Sequence, residues 1–291
     1  MERVFLGSEA VATGVVTPGT LRYRYRRIFP NVYVPRDQPP SLADNTVGAW
    51  LWSWRRSVIT GRAAAALHGA LWVDDDCPIE LNYTCRRPPS GIIARNERIA
   101  CDEVIQIGDM AVATKQRAAF DLGRYHPRGR AIAHLDALAN ATGLRAEQVW
   151  PLIERYRGAR GVRQLRVALD LMDGGAQSPK ETWLRLLLIA AGFPRPRTQI
   201  PVLNDRGRPF AYLDMGWEDA KIAVEYDGDQ HRKDRRRYVW DERRLRLIGR
   251  RGWLHIKVIN EDRPAEIIER VSSAWARARR ERASTVARRM S

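Results

Sequence analysis

Polar and apolar residues alternate along residues 221–228, Lys-Ile-Ala-Val-Glu-Tyr-Asp-Gly. A period of two is typical of a β-strand whose two faces meet different surroundings. The apolar face is formed by Ile222, Val224 and Tyr226. Glu225 and Asp227 emerge side by side from the other face, because successive side chains of a strand point in opposite directions. The sequence therefore predicts a strand with a buried back and two carboxylates on its front.

A second alternating segment, residues 210–217, carries Asp214. Clustered carboxylates repel one another unless a cation neutralises them. If the two segments pair, then Asp214, Glu225 and Asp227 form a set of oxygen ligands suited to Mg²⁺ or Mn²⁺. The alternative is a solvated sheet face that is simply acidic. The histidine and the five cations within residues 229–237 favour a site for a metal and a phosphate.

The net charge of the 291-residue chain is strongly positive and unevenly distributed. The formal charge is +16 at pH 7 and the pI is about 10.5. Residues 231–291 hold 19 Lys and Arg against 8 Asp and Glu, so most of the excess lies in this C-terminal stretch. This charge favours a polyanionic partner. We expect DNA, because each phosphate that a cation neutralises releases counterions.

The cysteines and the apolar runs indicate the cellular compartment. Cys77, Cys85 and Cys101 have no Cys-x-x-Cys spacing, and they fit neither a zinc site nor a disulfide framework. The first residues lack the apolar stretch of a signal peptide. The longest apolar run, residues 186–193, is far shorter than the roughly 20 residues of a membrane span. We expect a cytoplasmic protein with no membrane partner, associated with the nucleoid when it binds DNA.

Linker composition divides the chain into three predicted domains. A Pro-rich stretch at 35–44 and the Asp-Gly-Gly-Ala-Gln linker at 173–177 mark the boundaries. The predicted domains are a winged-helix-like segment over 1–38, a mixed α/β and mainly helical domain over 39–173, and a C-terminal domain over 176–291. The predicted fold class is α/β, with an α+β arrangement overall.

The N-terminal segment has the pattern of a short winged helix. Residues 8–13 predict a helix, and Thr17-Pro18 is an N-cap followed by proline at the first helical position. A strand or hairpin is expected over 28–34. The second helix is expected to carry Arg22, Arg24, Arg26 and Arg27. These arginines either contact DNA or decorate an exposed helix.

The C-terminal domain is expected to contain a helix, three strands, a basic helix, a strand and a final helix. The predicted bounds are about 182–191, 198–203, 210–217, 221–227, 232–250, 253–259 and from 264 onwards. This order, with Asp on the second strand and Glu-x-Asp on the third, resembles the PD-(D/E)XK nuclease superfamily. More narrowly, residues 176–285 resemble domains related to very short patch repair endonucleases. The matching motifs are Ser178-Pro-Lys-Glu181, Asp214, Val224-Glu-Tyr-Asp-Gly228 and His231.

This resemblance implies a restriction-endonuclease-like αβββαβ core with a mixed sheet, and metal-dependent hydrolysis of phosphodiesters. Mg²⁺ or Mn²⁺ would be held by Asp214 and by one or both of Glu225 and Asp227. His231 would act as a general acid or base or contact the phosphate, unless it is an ordinary surface histidine at a helix start. Glu181 either supports the metal ligands or is the glutamate of an N-terminal capping box.

The chain departs from the usual motif at Asp227, where most members of the superfamily carry lysine, although the nearest relatives within it share the Asp variant. The missing cation could come from His231, Lys233 or Lys257, unless Lys257 faces solvent. The basic run that follows is predicted to bind backbone phosphates, as is Lys257, or else it is a solvated helix face. The cations of this run are Arg232, Lys233, Arg235, Arg236 and Arg237.

The upstream region resembles the abortive-infection type IV antitoxin family over residues 21–34, 63–69 and 113–122. In that family a winged helix precedes a domain of mixed structure. Together the resemblances imply a metal-dependent endonuclease acting on DNA, with an N-terminal region that recruits DNA or a partner. Two alternatives stay open, a catalytically inactive DNA-binding regulator of the antitoxin type and a structure-selective RNase. A homodimer or a protein partner is also open.

Overall fold

The protein has a mixed α/β fold, as the sequence predicts. The computed structural model describes residues 3–228 and 235–290, apart from the side chains of 235–242 and 282–290. The chain forms two compact units, Met1–Gly174 and Gly175–Ser291. The division falls within the Gly-rich linker at 173–177, and it leaves segments 1–38 and 39–173 together in the first unit.

The first unit begins with a small antiparallel sheet. Its elements are β1 (Phe5–Leu6), α1 (Gly7–Ala12), α2 (Pro18–Arg24), β2 (Tyr25–Phe29), β3 (Val32–Pro35) and α3 (Leu42–Trp52). The strands are ordered β1-β3-β2, and α3 packs against all three. The side chain of Thr17 caps α2 by accepting a hydrogen bond from the backbone N–H of Thr20 at 3.1 Å, as its sequence position predicts.

The structure corrects the prediction that one helix carries all four N-terminal arginines. Arg22 and Arg24 lie on α2, whereas Arg26 and Arg27 lie on β2. The helix ends at Arg24 because Tyr25 is extended and opens the antiparallel pairing of β2 with β3. The β2–β3 turn holds a non-glycine residue, Asn31, at a φ of 62°, a conformation that Asn tolerates better than most residues.

The rest of the first unit combines a five-stranded mixed sheet with a group of helices. Its elements are β4 (Val58–Thr60), α4 (Gly61–Leu67), β5 (Ile79–Asn82), β6 (Ile92–Arg95), β7 (Val104–Ile107), β8 (Met110–Ala113), α5 (Lys115–Tyr125), α6 (Arg128–Thr142), α7 (Trp150–Arg155) and α8 (Val162–Leu171). The strand order is β6-β5-β4-β8-β7. Helix α5 packs against α4, α6 and α8. Gly123 lets α8 approach, because a Cβ at this position would lie 2.2 Å from Cδ1 of Leu165.

The second unit is a four-stranded sheet with helices packed against it. Its elements are α9 (Pro179–Ala190), β9 (Arg197–Leu203), β10 (Pro209–Trp217), β11 (Ile222–Tyr226), α10 (Arg235–Arg250), β12 (Leu254–Val258) and α11 (Pro264–Met290). They follow the order expected from the sequence. The strand order is β12-β11-β10-β9, with β12 parallel to β11 and the other pairs antiparallel, so the sheet is mixed.

The predicted two-faced strand is confirmed at β11. Ile222 and Val224 are fully buried in a core shared with α9 and α11, and Tyr226 packs against its edge. Ala223 belongs to a separate core on α10, with Ile248. Burial of each large aliphatic side chain contributes about 1.5–3 kcal/mol, so both cores hold the strand in one register. That register fixes where the acidic side chains of the strand emerge.

Within residues 3–228 and 235–290, none of the helices has the combination of length and apolar composition that crossing a bilayer requires.

Candidate functional site

The first turn of α9 positions Glu181. Ser178 is the N-cap residue: its hydroxyl oxygen accepts a hydrogen bond from the backbone N–H of Glu181 at 3.1 Å and also donates to Oε1 at 3.0 Å. The backbone N–H of Gln177 donates to Oε2 at 2.8 Å. Glu181 is therefore part of a helix cap, as one of its two predicted roles requires. The same carboxylate is buried and lies close enough to Glu225 and Asp214 to interact electrostatically with both.

Pairing between β10 and β11 brings the next two carboxylates together. Met215 lies opposite Val224, and this register sets Asp214 beside Glu225 on the neighbouring strand. The backbone N–H of Tyr226 donates to Oδ2 of Asp214 at 3.1 Å. Among the described residues, no basic side chain forms an ion pair with Asp214. Within the described ranges, the donor to this carboxylate is thus a neutral backbone N–H.

The pKa values of Asp214 and Glu181 are both raised, in part because neighbouring carboxylates repel their negative charge. Burial, followed by the charges of Glu181 and Glu225, raises the pKa of Asp214 to about 7, against the opposing effects of the Tyr226 N–H and Arg244. Burial is also the main reason that the pKa of Glu181 is raised, and the charge of Glu225 adds to it. Asp214 thus exchanges its proton near neutral pH, which is common for groups in functional sites.

Glu225 differs from these two neighbours because basic groups surround it. Arg244 of α10 binds both oxygens, with Nη2 2.6 Å from Oε1 and Nη1 3.2 Å from Oε2. Nε2 of His255 on β12 lies 2.6 Å from Oε2. Burial acts to raise the pKa of Glu225, but the contacts with His255 and Arg244 outweigh it, and the net shift is downward. Its basic contacts thus favour the ionised form of Glu225, whereas burial disfavours the ionised forms of Asp214 and Glu181.

Sequence reasoning missed both basic partners of Glu225. The sequence contained an indication of the role of His255, because this residue lies two positions before Lys257 on a predicted strand and therefore shares its face. The sequence contained no such indication for Arg244, since it is one of many arginines on a basic helix. Only the packing of α10 on the sheet, which includes a hydrogen bond from Nη2 of Arg244 to the carbonyl oxygen of Tyr212 at 2.8 Å, selects it.

Asp227 lies one step farther along and pairs with Lys257. Its backbone N–H donates to the carbonyl oxygen of Val258 at 2.8 Å, and its carboxylate forms an ion pair with Nζ of Lys257. The parallel register places Lys257 directly beside Glu225. The Lys257 side chain is half exposed, and it is engaged with a carboxylate rather than directed only to solvent. A cation therefore stands beside the strand that lacks a lysine at position 227.

The chemistry of the donors suits a hard cation. Mg²⁺ prefers oxygen ligands, and it commonly binds through one or two carboxylates plus water and substrate phosphates. Asp214 and Glu225 provide two such carboxylates on adjacent strands. Within the described part of the chain, no group of three or more His, Cys, Asp or Glu side chains is arranged to ligate one ion. The predicted three-carboxylate set that includes Asp227 stays a prediction.

Several predicted residues fall outside the described part of the chain. His231, Arg232 and Lys233 lie between residues 228 and 235, outside the described ranges. The remaining cations of the basic run, Arg235, Arg236 and Arg237, lie on α10, and their side chains are outside the description. Their predicted contacts with phosphate stay predictions.

The N-terminal arginines differ in their surroundings. Arg22, Arg24 and Arg27 are exposed, whereas Arg26 is partly buried and its Nη2 donates to the carbonyl oxygen of Gln38 at 2.5 Å. Arg26 is therefore used at least in part to hold the loop that follows β3. The other three are accessible to a ligand.

Two proteins of Mycobacterium tuberculosis are similar to this chain. They are the uncharacterized protein MT2308 of strain CDC 1551 / Oshkosh and the uncharacterized protein Rv2248 of strain ATCC 25618 / H37Rv. Each is 25% identical over 260 residues, which cover 87% of this chain and 93% of the relative. The similarity therefore extends into both units. No family model matches the chain, and no solved structure matches it.

Proposed function

We propose that this protein is a divalent-cation-dependent endonuclease that hydrolyses DNA phosphodiester bonds through its second unit, with a core of the PD-(D/E)XK type related to very short patch repair endonucleases. The observation that carries the proposal is the cluster of Glu181, Asp214 and Glu225, of which Glu225 alone forms ion pairs with basic side chains in the described part of the chain. Such a cluster costs free energy in the absence of a cation and gains free energy when one binds.

The contacts of the described residues support separate roles. Asp214 and Glu225 would hold the cation, and Glu181 is fixed by its cap at the edge of the same cluster. The bound cation would polarise a phosphoryl oxygen and lower the pKa of a bound water. Lys257 would take the place of the lysine that the usual motif carries at position 227. It lies beside Glu225 on the neighbouring strand, and its ammonium group forms an ion pair with Asp227. Its ammonium group would stabilise charge on the scissile phosphate.

DNA is the substrate that the charge distribution favours. The net charge of +16 is concentrated in the stretch that follows β11. Cations there would contact backbone phosphates, which gives affinity without sequence information. The exposed Arg22, Arg24 and Arg27 of the first unit would help to recruit DNA or a partner.

The test is cleavage of supercoiled plasmid by the full-length protein in Mg²⁺ or Mn²⁺, with EDTA as the cation-free control. Asp214→Asn should reduce cleavage by more than about 100-fold, since loss of even an outer-shell partner of a metal costs about 10- to 100-fold. Asp219→Asn is the matched control, because it makes the same change at an exposed position between β10 and β11. Nicking that survives Asp214→Asn would exclude this site.

A second candidate is a DNA-binding regulator without nuclease activity. The observation in its favour is that Glu225 and Asp227 are already paired with basic side chains, so part of the cluster is neutral without a cation. Tight binding of DNA with no cleavage in any divalent cation would favour the regulator. Competition among duplex DNA, single-stranded DNA, mismatched duplex and RNA would separate both from a structure-selective RNase.

A further inference from the structure

The contacts of Glu225 point to a role for Arg244 that rests on the proposed cation site. Both carboxylate oxygens are occupied by side chains. Oε1 is held by Nη2 of Arg244 at 2.6 Å, whereas Oε2 is shared between Nη1 of Arg244 at 3.2 Å and Nε2 of His255 at 2.6 Å. A guanidinium that grips a carboxylate at both oxygens matches its geometry and charge. A cation bound to Glu225 would lie within a few ångströms of this guanidinium, so the two positive charges compete for one carboxylate.

We propose that Arg244 and a divalent cation are alternative partners of Glu225, so that Arg244 serves as an internal counter-ion that the cation replaces. Among the described residues, Oε1 has Arg244 as its partner, so release of the guanidinium frees this oxygen. His255 would stay on Oε2 and keep the carboxylate oriented, as groups behind metal ligands commonly do. Arg244 is in this sense a positioning residue for the site.

The surroundings of Arg244 allow this exchange. Its side chain is 17% exposed, so the guanidinium lies at the edge of the site rather than deep in a core. Its further hydrogen bond among the described residues goes to the carbonyl oxygen of Tyr212, a neutral acceptor on a residue whose side chain is exposed. Loss of that hydrogen bond to water costs little compared with the loss of a buried ion pair.

The released guanidinium would be able to bind a phosphate of the nucleic acid. A cation on Glu225 repels a guanidinium a few ångströms away, and a phosphate placed between the two charges removes the repulsion. The planar fork of arginine matches phosphate oxygens as well as carboxylate oxygens. Arg244 would thus pass from Glu225 to a phosphodiester, and the cation and the nucleic acid would strengthen each other's binding. Without nucleic acid, the internal ion pair would keep the affinity for the cation low.

The test is Mn²⁺ binding to the full-length protein in the absence of nucleic acid, measured by isothermal titration calorimetry and by the electron paramagnetic resonance signal of free Mn²⁺ at pH 8. Arg244→Gln should bind Mn²⁺ at least about fivefold more tightly than the wild type, the lower end of typical coupling between two ligands. Arg246→Gln is the matched control, because it removes the same charge from an exposed position of α10, and it should leave the affinity unchanged. Equal or weaker binding by Arg244→Gln, or no binding by any of the proteins, would overturn the inference.

A role of Arg244 in folding alone would not raise the affinity for Mn²⁺. Should Arg244→Gln fail to fold by near-ultraviolet circular dichroism, Arg244→Lys decides, because an ammonium group grips one oxygen where the guanidinium grips two. Its affinity for Mn²⁺ should exceed that of the wild type, and an unchanged value would overturn the inference. Cleavage is measured separately: Mn²⁺ binding without cleavage contradicts the nuclease proposal, whereas cleavage with an unchanged affinity in Arg244→Gln contradicts the exchange.

Discussion

Glu80 in the first unit and Asp214 in the second are both largely buried carboxylates, yet their pKa values are displaced in opposite directions. Burial acts to raise the pKa of Glu80, but contacts with His126, Arg95 and Arg62 lower it to about 2. Arg95 Nη1 lies 2.7 Å from Oε2 of Glu80, and Arg62 Nε lies 3.2 Å from Oε1. For Asp214, burial and two neighbouring carboxylates raise the pKa to about 7.

The first unit repeats the compensated pattern in a second network. Arg117 is buried and contacts Glu103 at 2.6 Å, Glu97 at 3.1 Å and Asp121 at 3.1 Å. Arg124 contacts Asp121 at 3.0 Å. Each buried charge there meets an opposite charge, as a buried charge must if it is not to cost several kcal/mol.

The difference separates carboxylates that are neutralised within the fold from carboxylates that a bound cation would stabilise under the proposed function. A satisfied network gains nothing from a further ion, whereas an excess of buried carboxylate is relieved by a cation from solution. Apolar burial on both sides of β11 stabilises the second unit and offsets the cost of this excess. Site chemistry is therefore expected in the second unit, and the networks of the first unit are expected to be structural.

The largest expected effect is the opposite response of the two carboxylates to the same kind of substitution. Glu80→Gln should destabilise the first unit by about 3 kcal/mol, because it leaves buried cations uncompensated. Asp214→Asn should stabilise the second unit by about 1 kcal/mol at pH 8 without divalent cations, because it removes repulsion. Hydrogen exchange with mass spectrometry, read on peptides from β5 and from β10, measures each unit separately. Destabilisation by both substitutions would contradict the proposed difference between the two carboxylates.

Acidification from pH 7 to pH 5 should change the stabilities of the two units in opposite directions. Burial, aided by His126 and Arg62, lowers the pKa of His134 from 6.5 to about 4, so the folded first unit binds fewer protons than the unfolded chain in this range and loses stability as the pH falls. Asp214 has a pKa of about 7 when folded against an ordinary 3.8, so the second unit binds more protons and gains stability.

Each of these pH effects should be about 1–2 kcal/mol, from the 1.36 kcal/mol that one pKa unit represents. The same hydrogen-exchange peptides, followed at several pH values, report the two slopes. Asp214→Asn should flatten the slope of the second unit and leave the slope of the first unit unchanged. Slopes of the same sign in both units of the wild type would contradict the assignment.

The smallest expected effect concerns the cap of α9. Ser178→Ala removes the hydroxyl that contacts both the N–H and the carboxylate of Glu181, and it should cost about 1 kcal/mol. If Glu181 is mainly a cap, the affinity of the second unit for Mn²⁺ should stay the same in this variant. A drop in Mn²⁺ affinity would indicate that the cap also orients Glu181 toward the cation.

Local patterns in the sequence predicted most elements of the second unit. The alternation at 221–228 gave β11 and its two faces, and Ser178-Pro179 gave the start of α9. These features depend on neighbours within a few residues. The placement of Arg26 and Arg27 on a helix was wrong because pairing between β2 and β3 overrides the helical tendency of a basic segment.

Local sequence patterns set which residues share a face of β11, and they bring Asp214 and Glu225 together once their strands pair. The compensation of each carboxylate depends instead on contacts between residues that are distant in the chain. The parallel register of β12 brings His255 to Glu225 and Lys257 to Asp227 across about 30 residues of chain, and the docking of α10 brings Arg244. The physical reason is that strand periodicity is a local property, whereas the pKa of a carboxylate depends on charges brought near it by packing.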